Sequence, residues 1–171
     1  MATNDLIAEL KGGPRIDALL ERRICEAVLR QLDDTNADVQ SVAIKCISQL
    51  VQTVQEAQIC DIVESLCHHL LRGKEGLTDI YSIGLKCVVT GAPAAHGAAI
   101  AQRLTSPLLD GISSDRSHSQ LVRSECIAVL KDLLSRFGVE CSSMHENTMG
   151  VILTQVGSSK SVVHKRATSC L

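Results

Sequence analysis

The residues with the most chemical potential in this chain of 171 are its eight cysteines and six histidines. Thiolates are nucleophiles and metal ligands, and imidazole is both a general base and a ligand, so spacing decides between a site and a core. A structural zinc needs four ligands, typically arranged as close pairs such as C-x2-C, and no such pair occurs. Cys67-His68-His69 crowds three candidates together, but adjacent side chains on a helix diverge by about 100° and do not converge on one ion. Cys141 and His145 are four residues apart, a workable spacing, yet a thiol nucleophile also needs an orienting polar partner for its histidine. Arg72-Gly73-Lys74-Glu75-Gly76 lacks both the full phosphate-loop pattern and a preceding strand, and reads as a turn. The paired carboxylates Asp33-Asp34 stand immediately before a helical pattern, which favours N-terminal capping over acid–base work. The expectation is a protein that is not an enzyme, with no catalytic residues, no cofactor and no metal.

The positions of the thiols point elsewhere. Cys46, Cys87 and Cys170 fall 41 and then 83 residues apart, the steps of a repeat. Four segments align, beginning at Asp38, Asp79, Leu121 and Val162. Their anchors Val39, Ile80, Val122 and Val163 are separated by 41, 42 and 41 residues, and the small residues Ala43, Gly84, Cys126 and Ala167 keep the same steps. Ala2 lies 41 before Ala43. Within a unit, Val39, Ala43, Cys46, Ile47, Leu50 and Val54 mark one stripe of a 3.6-period helix. Upstream of each such helix lies a second amphipathic stretch, over 16–32, 56–71, 95–112 and 143–156, set off by polar or Gly-containing punctuation. Lys11-Gly12-Gly13-Pro14 and Thr90-Gly91-Ala92-Pro93 carry the Gly and Pro that end one helix and start the next. The cysteines, including Cys25, Cys60 and Cys67 on first helices, then read as small apolar core residues.

Two-helix units of about forty residues have the HEAT or armadillo period. The reading is all-α: a HEAT-repeat α-solenoid of antiparallel helix pairs with a period of 41–42 residues. It forms a single array over 1–171, with 1–10 as the second helix of a truncated repeat, 14–54, 56–91 and 94–137 as full repeats, and 143–171 as a further truncated one. The pattern D-x-x-x-x-V-x-x-x-A fits Asp34 to Ala43 best, with Glu75, Ser117 and Ser158 at the Asp place in later units. Both ends fall inside helices, so the chain reads as part of a longer superhelix, since a solenoid needs polar capping repeats at its ends.

Composition narrows the function. Apolar residues are 45%, charged residues 21% and the net charge is −2, with a pI near 6.3. Neither disorder nor a nucleic-acid partner held by phosphate neutralisation fits these values. One Tyr, one Phe and no Trp leave little for aromatic-walled ligand pockets, so no small-molecule substrate is expected. No apolar run is long enough to span a membrane, no export signal is visible, and the many cysteines fit a reducing compartment, cytoplasmic and nuclear. What remains is surface. Opposite the packed stripe lie Ser41, Lys45, Ser48 and Gln52, then Ser82 and Lys86, then Ser124 and Lys131, then Lys165. In a solenoid the second helices line a continuous concave face, so Lys45, Gln52, Lys86, Lys131 and Lys165 are the candidate partner-binding residues.

Several words are more specific than the repeat. Met1 to Leu10, Gln31-Leu32-Asp33-Asp34, Asp38 to Cys46, Gly73 to Ile80, Ser82-Ile83-Gly84-Leu85-Lys86 and Ser124-Glu125-Cys126-Ile127 resemble the N-terminal HEAT repeats of the cullin-associated, modifier-dissociated proteins, in register over nearly the whole chain. The resemblance implies a non-enzymatic arm of an assembly and substrate-receptor exchange factor for cullin-RING ubiquitin ligases. Its implied partners are the C-terminal region of an unmodified cullin and its RING subunit, bound by a monomer. The alternative is a generic HEAT-repeat scaffold for another protein client.

Overall fold

The computed structural model describes Asp5 and residues 17–73, 76–113, 119–158 and 161–171. The helix expected over 1–10, Ala2, the linker 11–14, and Glu75 and Ser117 in their turns lie outside the described residues, Asp5 apart. Among the described residues there are eight α-helices and no strand: α1 Ala18–Gln31, α2 Ala37–Thr53, α3 Glu56–Arg72, α4 Thr78–Gly91, α5 Gly97–Ser113, α6 Gln120–Phe137, α7 His145–Val156 and α8 Ser161–Thr168. Short 3-10 turns, Ala94–His96 and Ser142–Met144, precede α5 and α7.

The helices pair as hairpins and the hairpins stack. Each odd-numbered helix packs on the even-numbered one that follows. Each layer also packs on itself, α3 on α1 and α5, α4 on α2 and α6, and α6 on α8. Among the described residues no single helix is long and apolar enough to cross a membrane; α4 taken together with Ala94–Ser113 is, but the pair bends by 114° at its break.

Local chemistry starts the helices. Asp17 caps α1, its Oδ1 accepting from the amides of Leu19 and Leu20, both at 3.0 Å. Ser119 caps α6 through the Val122 amide at 3.2 Å. The cap of α2 corrects the expectation for Asp33-Asp34: Asn36 is the capping residue, accepting from the Asp38 amide at 2.8 Å. Asp34 instead folds the turn before it, accepting from the Asn36 amide at 2.8 Å, while Asp33 accepts from the Tyr81 hydroxyl of the next unit. A cap must sit next to the first helical turn, and Asn36 is two residues nearer to it than Asp34.

The core is one continuous cluster running through all four hairpins. Ala43, Gly84, Cys126 and Ala167 are all buried on it. Size is the reason. A Cβ on Gly84 would lie 3.2 Å from Leu66 Cδ2, and a Cβ on Gly111 would lie 2.6 Å from Leu71 Cδ2 and 2.8 Å from Cys126 Sγ. At these seats helices approach too closely for a larger side chain. Ala43→Leu should therefore overpack its seat and cost on the order of 1–3 kcal/mol, whereas Gln52→Leu on the exposed side of the same helix should stay within about 0.5 kcal/mol. Urea unfolding followed by circular dichroism measures both, and equal shifts would remove the seat from the account.

Candidate functional site

The outward side of the even-numbered helices is the candidate protein-binding face. Lys45 and Gln52 on α2, Lys131 on α6 and Lys165 on α8 are exposed there. Lys86 is on the same side of α4 but half-buried, its Nζ 3.2 Å from Glu125 Oε2. Three apolar side chains share the face, Ile83, Leu121 and Val162, each more than two-fifths exposed.

The polar ladder is narrower than expected, because Ser82 and Ser124 are buried, at 0% and 2% exposure. The cause is a residue from the following unit. Val42, Ile83, Glu125 and Arg166 occupy one repeat position, spaced by 41, 42 and 41. At this position Glu125 reaches across to α4, where Ser82 Oγ donates to its Oε2 at 2.6 Å. Arg166 likewise reaches across to α6, donating to the Ser124 carbonyl at 2.8 Å and to Glu125 Oε1. Ser41, with Ile83 standing at that position, stays exposed. A long polar side chain from one unit thus covers the serine of the unit before it.

Glu125 becomes the hub of a network joining three consecutive second helices: Ser82 and Lys86 of α4, Glu125 of α6 and Arg166 of α8. Burial, the largest single influence, would raise its carboxyl. The Ser82 and Arg166 hydrogen bonds and the Lys86 charge together outweigh it and hold the carboxyl below its ordinary value. Further side-chain contacts tie the array together elsewhere. His96 Nδ1 lies 2.9 Å from Glu56 Oε2, Arg103 pairs with Glu64, and Arg136 donates to the Ala92 carbonyl at 2.6 Å from α6. The Tyr81 ring stacks on His69 with centroids 5.1 Å apart. None of these pairs was legible as a pair in the sequence; a spacing of 39–44 between opposite charges is the only signal that could have found Glu125 with Lys86 and Arg166.

The thiols do not assemble. Cys25, Cys46, Cys60, Cys67, Cys126 and Cys141 are buried, and all are free. Cys87 and Cys170 are only half-buried, although they share a repeat position with buried Cys46, so that position is not uniformly core. Burial pushes Cys25 up to about 12 and Cys67 up to about 11, which keeps both thiols protonated at neutral pH. Cys141 Sγ lies 3.6 Å from Thr105 Oγ1, while His145 turns its Nε2 to the Gly138 carbonyl at 2.7 Å, so the two are engaged separately. His68 is exposed beside buried Cys67, and His69 faces Tyr81. Among the described residues no group of three or more His, Cys, Asp or Glu is placed to hold a metal ion.

A stacked array of helical hairpins with a polar outer face defines a helical-repeat protein. Solved structures share this architecture: a structure solved in work on TOG–tubulin binding specificity in microtubule dynamics and spindle formation superposes with a TM-score of 0.62, over 98% of this chain and 66% of that one, at 17% identity. An engineered protein superposes at 0.57 with 19% identity, over 99% of this chain and 70% of its own. No protein-family model matches the chain. Its sequence relatives are specific: over essentially its whole length the chain is similar in sequence to the cullin-associated NEDD8-dissociated proteins. Protein 1 of Drosophila melanogaster is 38% identical over 170 residues, covering 97% of this chain. Protein 1 of Arabidopsis thaliana is 34% identical over 172, and protein 2 of Mus musculus 36% over 177, each covering all of it. The chain spans 13 to 14% of the length of these relatives.

A carboxyl whose folded value is depressed adds stability above its ordinary value, about 4.5, and loses that contribution as pH falls below it. Thermal melts of the wild type should fall through that acid range, and Glu125→Gln should flatten the fall. At neutral pH Glu125→Ala should cost on the order of 2 kcal/mol, less than the loss of a fully buried pair because Lys86 and Arg166 reach solvent. A neutral-pH melt unchanged by Glu125→Ala would contradict the hub.

Proposed function

We propose that this chain is a non-enzymatic protein-binding arm that holds the C-terminal region of an unmodified cullin and its RING subunit, as part of a ligase assembly and substrate-receptor exchange factor of the cytoplasm and nucleus. The observation that carries the reading is the full-length similarity to relatives named for cullin association and NEDD8 dissociation. The face between Lys45 and Lys165 supports it physically. It runs along four stacked helices and mixes exposed lysines with the exposed apolar side chains Ile83, Leu121 and Val162, which suits a protein surface. The arm acts as a monomer and needs no cofactor, nucleic acid or membrane.

Within this reading the lysines differ in role. Lys45, Gln52, Lys131 and Lys165 are free to meet a partner, whereas Lys86 is shared with Glu125, so reversing Lys86 would set two carboxylates against each other inside the array. The clean variant is therefore Lys45→Glu with Lys131→Glu and Lys165→Glu. Calorimetry against a purified cullin–RING heterodimer should give measurable binding to the unmodified form and none to the modified form. The triple variant should bind about tenfold or more weakly with an unchanged melting temperature. Equal binding to both cullin forms, or binding to neither by a helical and monodisperse chain, would favour a scaffold for another client.

A further inference from the structure

The first seam between hairpins is open where the second is closed. Glu26, Leu29 and Arg30 of α1 stand 41 residues before Cys67, Leu70 and Leu71 of α3, and His69 of α3 stands 42 before Gly111 of α5. Apolar side chains fill the second seam: Cys67 and Leu70 are buried, and Leu71 packs so close to Gly111 that a Cβ there would lie 2.6 Å from its Cδ2. In the first seam Glu26 and Arg30 are exposed instead, and a half-buried imidazole stands in the place of the glycine. The result is a cavity of about 280 Å³ between α1 and α3, with both walls built from described hairpins. Leu29, Leu32 and Leu66 make its apolar side. His69 and Tyr81, stacked with centroids 5.1 Å apart, make an aromatic one.

We propose that this cavity takes an arginine side chain projecting from another protein. Charge selects a cation, since the lining holds two carboxylates, Glu26 and Asp33, against the single guanidinium of Arg30. Arg22 meets Glu26 at 2.9 Å, whereas the Asp33 side chain has, among the described residues, only the neutral Tyr81 hydroxyl as a partner, and only on Oδ1. Its charge is left for a ligand to neutralise. Shape selects arginine over lysine: a planar guanidinium pairs with a carboxylate, packs on aromatic rings and sheds water more readily than an ammonium, while its methylene stem suits the three leucines. A buried arginine anchor of this kind is a common centre of protein–protein binding energy. The cavity is off the helices that carry Lys45, Lys131 and Lys165, so the proposal stands apart from the cullin reading.

The probe is Nα-acetyl-arginine methylamide, titrated into the full chain and followed by proton NMR. Tyr81 is the chain's single tyrosine, so its ring signals report the cavity in the wild type without any variant. They should shift and saturate with a dissociation constant of about 1 mM, the scale for so small a ligand. The lysine analogue should bind about threefold or more weakly, and the uncharged norleucine analogue should not bind. Asp33→Asn, which keeps an acceptor for Tyr81, should weaken the arginine probe about tenfold, while Asp61→Asn, exposed on α3 but outside the cavity, should leave it within about twofold. Arg30→Gln removes a like charge and should tighten binding about threefold. No saturable shift at Tyr81, equal binding of the lysine analogue, equal losses from the two aspartate variants, or weaker binding to Arg30→Gln would overturn the proposal. Saturable binding of the glutamate analogue in place of the arginine one would also overturn it, assigning the cavity to an anion held by Arg30.

Discussion

Close approach of helices at the small seats is the constraint on which the rest depends. A two-helix unit cannot bury both faces of its second helix alone; it must press that helix onto its own first helix and onto the second helices of both neighbours. Ala43, Gly84, Cys126 and Ala167 let the backbones come near enough for this, and the core then runs uninterrupted through the four hairpins.

That closeness also explains the buried carboxylate. Once α4 and α6 are held side by side, a residue one position before each small seat leans over the preceding helix. Where it is Ile83 the contact leaves Ser41 exposed; where it is Glu125 the serine beneath becomes its donor, and Lys86 and Arg166 supply the charge that makes burial tolerable. Satisfied in this way, the network links three consecutive units by direction-specific bonds, which an apolar contact does not provide. It also divides the lysines of the outer face into one that is structural and three that remain free for a partner.

The periodic features were legible in the sequence, since spacing alone places Ala43, Ile47 and Leu50 on one stripe and repeats it at 41 or 42 residues. The hairpins over 18–53, 56–91, 97–137 and 145–168 follow from that stripe. Features set by a single long-range partner were not legible. Ser82 and Ser124 stand on the polar side by period, and only a side chain 42 or 43 residues further on makes them interior. Asp33 looked like a cap because its partner, Tyr81, is 48 residues away. Cys87 and Cys170 share a register position with Cys46, but local packing rather than period decides how deeply each sits.

The proposed binding face lies on the even-numbered helices. Hydroxyl-radical footprinting of the chain with and without an unmodified cullin–RING heterodimer tests it directly, because the exposed apolar side chains report each side of the array. Ile83 and Leu121 should lose reactivity in the complex while Leu19 and Leu153 on the odd-numbered helices keep theirs. Protection of Leu19 and Leu153, with Ile83 and Leu121 unchanged, would contradict it.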